Sequence, residues 1–223
     1  MNVSRRSPPS IPVNPTRSPL LRAVLALCAQ RGYAAVTVQE IANHAGVGRK
    51  AFYTHFADKR ECFLAAYEEA SEQLLGEVIG AAHAEEDWCT GLRAGVVGAI
   101  RVAETDATRM RCLLVEVFAA GEGALDRRAR MLRRLALELD RARHYGSPAA
   151  LAAPVSEIVI GGLESLLRSQ LETGRPETAV DLIPDLVYFA VDPYLGKEIA
   201  AEQAELSRDD AEQLRSNLAD LKP

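Results

Sequence analysis

Apolar residues recur at helical spacing in almost every segment of this 223-residue chain. In the first such segment, Leu20, Val24 and Leu27 follow the i, i+4, i+7 spacing of one helical face, and Gly32 marks its end. No segment alternates between polar and apolar residues for long, which argues against an extensive sheet. Unbranched helix-forming residues are plentiful, whereas aromatic residues make up only 5% of the chain. The sequence therefore predicts an all-α protein.

Glycine, proline and capping residues set the limits of the predicted helices. These span residues 19–31, 38–44, 48–54, about 59–83, 90–103, 106–120, 124–144, 149–173, 177–196 and 198–220. Thr37 is the predicted N-cap of the second helix and Asp58 that of the fourth. Residues 1–18 are rich in Ser, Pro and Arg and lack periodicity, so we expect them to form a flexible basic arm.

The charge of the chain is distributed unevenly. Residues 1–60 contain nine basic and two acidic side chains, a net charge of +7, although the whole chain has a net charge of −5. The remainder therefore carries −12. A basic N-terminal quarter attached to an acidic body suggests a module that binds a polyanion, joined to a domain with another role. A solvated basic surface is the alternative, and charge alone does not distinguish the two.

The segment 38–56, VQEIANHAGVGRKAFYTHF, has the most specific pattern in the chain. Ala42 and Gly46 lie four residues apart, where a small side chain allows two short helices to cross closely and glycine permits a tight turn. Val47 and Phe52 occupy the positions where such a pair needs apolar contacts with the core. The pattern predicts a helix-turn-helix.

The helix after this turn has a basic outer face. At about 100° per residue, Arg49, Lys50, Tyr53 and Thr54 share one arc of roughly 140°, opposite Phe52. An α-helix fits the major groove of B-DNA, where Arg and Lys reach guanine acceptors and Thr contacts the thymine methyl group. Two further side chains, those of His55 and Lys59, are placed to bind the flanking phosphates.

Residues 19–64 resemble the N-terminal DNA-binding domain of the TetR family of bacterial transcriptional regulators. Beyond the apolar first helix, the shared pattern consists of Gly32-Tyr33, Thr37-x-x-x-Ile41-Ala42, Ala45-Gly46-Val47, Phe52-Tyr53-x-His55-Phe56 and Asp58-Lys59. The resemblance implies that Thr37 caps its helix and contacts a phosphate. It implies that Tyr53, His55 and Lys59 bind the DNA backbone. It also implies that Arg49 and Lys50 read bases, with Ala51 and Thr54 as apolar contacts.

For residues 65–223 the resemblance implies a helical domain for effector binding and dimerisation. The predicted homodimer interface consists of Ile158, Gly161, Gly162, Ser165 and Leu166 on one helix and of Leu186 and Phe189 on the next. A helix pair within one subunit is the alternative, which periodicity does not distinguish. Symmetric binding to DNA independently requires a dimer, because two recognition helices must lie about 34 Å apart to enter successive major grooves.

A small-molecule pocket is expected among the central helices. Its candidate lining residues are Trp88, Met110, Leu114, Phe118 and Met131, for which ordinary core packing is the alternative. Glu116 lies among apolar neighbours. It is either a polar anchor in the cavity or the solvent-facing side of its helix, and we favour the second interpretation.

These patterns predict a sequence-specific DNA-binding transcriptional regulator, a repressor that a small apolar or amphipathic ligand releases from its operator. The alternative is a helical regulator without an effector, which acts through a protein partner or as an activator. No catalytic motif, cofactor motif or metal-ligand spacing is found in the sequence, so an enzyme is not expected. The four cysteines lie more than twenty residues apart and are interpreted as small hydrophobes. Without an export signal or an apolar span, we expect a cytoplasmic protein.

Overall fold

The computed structural model describes residues 16–141, 154–173 and 179–221. Within these ranges all regular structure is helical, which confirms the predicted all-α class. The helices are α1 (Arg17–Arg31), α2 (Val38–His44), α3 (Arg49–Tyr53), α4 (Lys59–His83), α5 (Trp88–Thr105), α6 (Ala107–Leu114), α7 (Glu122–Leu139), α8 (Val155–Thr173), α9 (Ile183–Leu195) and α10 (Lys197–Asp220). Short 3-10 turns follow α1 at Tyr33–Ala35, follow α6 at Glu116–Ala120 and precede α9 at Val180–Leu182.

Several predicted boundaries differ from the observed ones, and the helix predicted at 177–196 begins only at Ile183. The segment predicted as one helix at 106–120 is broken, because α6 ends at Leu114 and a 3-10 turn follows. The first helix begins at Arg17, so the end of the predicted arm is helical, and the Arg17 guanidinium lies 5.7 Å from the centre of the Phe56 ring. The rest of the arm, residues 1–15, lies outside the described residues, as do the parts of the predicted helices at 142–153 and 174–178.

Side-chain caps begin α2 and α4 where the sequence predicts them. The backbone N–H of Glu40 donates to Thr37 Oγ1 at 3.3 Å, and the Glu40 carboxylate accepts from the Thr37 backbone N–H at 2.9 Å. Hydrogen bonds from Arg31 and from Thr37 lower the pKa of Glu40 to about 2. Asp58 accepts from the backbone N–H of Glu61 at 2.8 Å, while the Glu61 carboxylate reaches back to the N–H of Ala57.

The long helix α4 joins the N-terminal helices to the body. Its buried side chains include Phe63, Tyr67 and Leu74, spaced four and seven residues apart along one face. The core around them is continuous from Leu20 in α1 to Met131 in α7. The N-terminal helices α1 to α4 therefore share one core with α6 and part of α7, and within the described part of the chain no separate core divides them from the central helices.

The last helix, α10, packs along α9 and against α5. Its apolar contacts are reinforced by Arg93 of α5, whose guanidinium donates to Asp210 at 3.1 Å and to Gln203 at 2.6 Å. Among the described residues, no helix is both long and apolar enough to cross a bilayer.

Candidate nucleic-acid interface and ligand cavity

The turn between α2 and α3 has the geometry of a helix-turn-helix. Gly46 adopts a φ of +70°, which a side chain would disfavour, and the backbone N–H of Val47 donates to Ala42 at 2.9 Å. Ile41 and Phe52 are fully buried against α1 and α4. The buried side of the pair fixes its orientation, so the opposite side of α3 is presented to solvent.

The outer face of α3 brings together the residues that the sequence assigns to DNA. Arg49, Lys50, Tyr53 and Thr54 are exposed, while Ala51 is half-buried. The Arg49 guanidinium donates to the Tyr53 hydroxyl at 3.3 Å and lies 5.6 Å from the centre of that ring. The Thr54 hydroxyl donates to the carbonyl of Ala51 at 2.6 Å, which leaves its methyl group to make apolar contacts.

The predicted phosphate-binding residues lie at the two ends of this surface. Thr37 is exposed at the start of α2, and His55 is half-buried just after α3. The Lys59 ammonium donates to the carbonyl of Tyr33 at 2.7 Å and to that of Ala34 at 3.5 Å, and it lies 4.3 Å from the centre of the Tyr33 ring. An ammonium has three donors, so these contacts use two of them.

Comparison with known proteins identifies this domain. Residues 20–66 match the family described as bacterial regulatory proteins, tetR family. The matched segment runs from Leu20 in α1, through α2 and α3, to the first turns of α4. The chain carries a TetR-family DNA-binding domain. A longer match includes part of the body, since 103 residues are 32% identical to the HTH-type transcriptional activator FasR of Mycolicibacterium smegmatis, over 46% of this chain and 47% of FasR. The chain spans less than half of the length of the curated relatives it matches.

Solved structures share the overall fold of the chain. A TetR-family regulator from Marinobacter aquaeolei superimposes with a TM-score of 0.66 at 20% identity, over 81% of this chain and 96% of that one. FadR of Bacillus subtilis, solved in complex with stearoyl-CoA, superimposes with a TM-score of 0.70 at 15% identity, over 79% of this chain and 98% of FadR. At such identities the likeness shows the fold, and the site must be argued from the residues of this chain.

The helices that follow the TetR-family domain in the sequence, together with α4, form the body of the protein. They enclose a cavity of about 420 Å³, which is lined by α4, α5, α6, α7, α8 and α9. Four of the five predicted lining residues, Trp88, Met110, Leu114 and Met131, line it. Its size is within the range of about 300–1,000 Å³ that is typical of small-molecule sites.

The prediction that Phe118 lines the cavity is wrong. Its side chain is 47% exposed and lies between two guanidinium groups, 5.0 Å from that of Arg128 and 5.3 Å from that of Arg168. In a continuous helix Phe118 would share a face with Met110 and Leu114. The break after Leu114 removes this register, so Phe118 points outward instead.

The exposed end of the cavity is rich in ionisable groups. These lining residues belong to the end of α4, the segment before α5 and the end of α7, and they are His83, Glu85, Glu86, Asp87, Glu138 and Arg141. All of them except the half-buried Glu138 are exposed. The Glu138 carboxylate lies 2.8 Å from His83 Nε2 and 3.2 Å from Arg141 Nη1. Although burial acts to raise it, these hydrogen bonds hold the pKa of Glu138 below its ordinary value.

Two buried carboxylates were missed by the sequence analysis. Glu116 is only 6% exposed, so its interpretation as a solvent-facing residue is wrong. It accepts from the backbone N–H of Tyr33 at 2.7 Å and lies 3.5 Å from the Arg111 guanidinium. Glu164, also 6% exposed, lines the cavity and pairs with Arg128. The only sequence signal for either is an acid within an apolar run, which equally describes an amphipathic helix.

The outward side of α8 and α9 carries most of the predicted dimer residues. Ile158 is 63% exposed and Leu166 47% exposed, with Ser165 beside them and Phe189 exposed on α9. Gly161 and Gly162 are half-buried on this side of α8. A Cβ atom on Gly162 would lie 3.1 Å from the Phe189 ring, so this glycine admits a close contact within one subunit.

The prediction that Leu186 belongs to the dimer interface is wrong. It is 3% exposed and lines the cavity. The inward side of α9 consists of Ile183, Leu186, Val187, Ala190, Val191 and Tyr194, at the i, i+3, i+4, i+7 spacing. Leu186 belongs to that side, and Phe189 lies on the other.

Proposed function

We propose that this chain is a ligand-responsive transcriptional regulator of the bacterial cytoplasm, a repressor that binds its operator as a homodimer. A small apolar or amphipathic molecule in the cavity would lower its affinity for DNA. The observation that carries the proposal is the exposed basic face of α3, presented by a TetR-family domain that shares its core with a cavity-containing body. The cavity favours control by a small molecule over control by a protein partner.

The DNA contacts follow from where the side chains lie. Arg49 and Lys50 are placed to reach base edges in the major groove, with Ala51 and Thr54 beside them for thymine methyl groups. Tyr53, His55, Lys59 and Thr37 surround this face and would bind phosphates. The contact between Arg49 and Tyr53 restricts the guanidinium before DNA binds, which reduces the entropy lost on binding.

The homodimer would form through the outward side of α8 and α9. Exposed apolar side chains next to glycines are suited to close packing of two helices from each subunit. Such a dimer presents two copies of α3, which must lie about 34 Å apart to enter successive major grooves. A change in that distance is sufficient to release the DNA.

The route from the cavity to α3 runs through α6. Met110 and Leu114 line the cavity, and Glu116 follows immediately in the next turn. Its carboxylate binds the Tyr33 backbone N–H, while Lys59 at the start of α4 binds the Tyr33 carbonyl. A ligand that displaces α6 would therefore move the turn between α1 and α2. To shift the population from 1:99 to 99:1, the ligand must prefer the non-binding state by about 5.5 kcal/mol.

The test is the affinity of the full chain for DNA from upstream of its own gene, measured beside a scrambled duplex at one salt concentration. Arg49→Ala and Lys50→Ala should each weaken operator binding by about 1–3 kcal/mol and reduce the preference over the scrambled duplex. The control is Arg133→Ala, which removes an exposed guanidinium from α7 and should leave both affinities unchanged. An unchanged preference in both α3 variants would contradict the base-reading assignment.

A further inference from the structure

The charged lining of the cavity is almost entirely acidic. Among the lining residues that the structure describes, Arg141 is the only arginine and His83 the only histidine. The carboxylates are Glu85, Glu86, Asp87, Glu138 and Glu164. The walls between them are apolar, so the cavity combines an apolar interior with acceptor groups.

Glu164 differs from the other carboxylates because it is buried. It lies on the side of α8 that faces the cavity, together with Ile160, Leu163 and Leu167 at the i, i+3, i+4, i+7 spacing. The guanidinium of Arg128, which is not a lining residue, donates to one Glu164 oxygen at 2.6 Å and to the other at 3.3 Å. A carboxylate has about four acceptor positions, so this pairing leaves two for a molecule in the cavity.

The charge balance at Glu164 decides what kind of group fits there. Arg128 already compensates the carboxylate, so a cation placed beside it would bring an uncompensated charge into a buried site. An anion would be repelled by the negative charge of the carboxylate. A hydroxyl or amide N–H can donate to the carboxylate without adding charge, and a hydrogen bond to a charged group is stronger than one between neutral groups.

We propose that the effector is an uncharged apolar molecule with a hydroxyl or amide donor, and that Glu164 accepts its hydrogen bond. The proposal rests on the proposed function and names the ligand class of the same cavity. The exposed lining carboxylates of Glu85 and Glu86 act in the same direction, because they repel an anionic molecule that approaches the cavity.

Trp88 provides the measurement, since it is the only tryptophan in the chain and lines the cavity. The probes are 1-decanol, decyl methyl ether and decanoate, which share an apolar chain and differ in the head group. We expect the fluorescence titration to give at least about tenfold tighter binding of decanol than of the ether or decanoate, as a hydrogen bond to a charged acceptor predicts. Equal binding of decanol and the ether, or tighter binding of decanoate, would overturn the proposal.

Two variants assign this preference to Glu164. In Glu164→Gln the side chain is neutral and its amide can also donate a hydrogen bond. The affinity for decanol should therefore fall, and the affinity for decanoate should rise relative to that for decanol. In Arg128→Leu/Glu164→Leu the pair is replaced by apolar groups, a change that proteins often tolerate, and decanol and the ether should bind equally. Glu69→Gln, at an exposed glutamate of α4 that does not line the cavity, is the control and should keep the preference for decanol. A preference for decanol that persists in the double variant would overturn the assignment.

Release of operator DNA is measured separately, so that the two proposals can fail independently. Decanol that binds with the expected dependence on Glu164 but leaves the DNA complex intact would contradict the regulatory function alone. Decanoate that releases the DNA while decanol does not would contradict the ligand class alone.

Discussion

The backbone N–H of Tyr33 donates a 2.7 Å hydrogen bond to the carboxylate of Glu116, eighty-three residues further along the chain. The carbonyl of the same residue accepts from the Lys59 ammonium. The turn between α1 and α2 is thus bound on one side by the 3-10 turn that follows α6 and on the other by the start of α4. Because Glu116 is buried, this contact is not easily replaced by water.

Glu116→Ala should uncouple the TetR-family domain from the body. Removing the carboxylate leaves the Tyr33 N–H without its acceptor, which should lower the free energy of unfolding by about 1–3 kcal/mol. Urea unfolding measures this loss, and titration of operator DNA with and without effector measures the coupling. We expect the effector to weaken DNA binding less in this variant than in the original chain.

Glu116→Gln is the matched control, because an amide oxygen can still accept from Tyr33. It should retain most of the stability and most of the response to effector. A full response in Glu116→Ala would show that the signal takes another route.

Thr37→Ala removes the side-chain cap of α2. The lost hydrogen bond should lower the free energy of unfolding by about 1 kcal/mol, measured by chemical denaturation. Thr37→Ser keeps a hydroxyl at the same position and should behave like the original chain. Equal stability of the Ala and Ser variants would mean that the cap contributes nothing measurable.

A charge on the outward side of α8 should prevent dimerisation. Leu166→Glu places a carboxylate on the proposed interface, where it would be buried without a partner. Analytical ultracentrifugation should show a dimer for the original chain and a monomer for this variant, with loss of operator binding. Leu137→Glu, at an exposed leucine of α7, is the control and should remain dimeric. If the Leu166→Glu variant still dimerises with the affinity of the original chain, this face of α8 is not the dimer interface.

The cysteines should differ sharply in reactivity. Burial raises the pKa of all four thiols, to about 12 for Cys28 and Cys62. Cys28, Cys62 and Cys112 are buried, whereas Cys89 is only half-buried and is therefore the one that a reagent can reach. Since the thiolate is the reactive form, the three buried thiols should stay unreactive between pH 7 and about pH 10.

A colorimetric thiol reagent should therefore modify one cysteine in the folded protein and all four in denaturant. Cys89→Ser should abolish the reaction of the folded form. Rapid modification of a second thiol under native conditions would contradict the burial of the other three.

Local signals were sufficient to predict most of the fold. Thr37 and Asp58 cap their helices through neighbouring backbone groups, and Gly46 forms its turn by its own conformation, so their roles depend on a few adjacent residues. The family resemblance rests on the same short segment. Each of these signals can be recognised from a few consecutive residues, without knowledge of the rest of the chain.

The errors arise where side chains depend on distant parts of the chain. The prediction for Phe118 assumes one continuous central helix at 106–120, whereas α6 ends at Leu114. Leu186 and Phe189 are both apolar and close in sequence, and only the packing of α9 shows which one faces inward. The partner of Glu116 is a backbone N–H that no side-chain pattern marks.

Footprinting on DNA from upstream of the gene tests the central claim most directly, because it shows whether paired copies of α3 occupy successive major grooves. The account predicts two protected half-sites related by a palindrome, centred about one helical turn of 10–10.5 base pairs apart, and lost together in an Arg49→Ala/Lys50→Ala variant. A single protected half-site, or uniform protection that the double variant leaves unchanged, would contradict it.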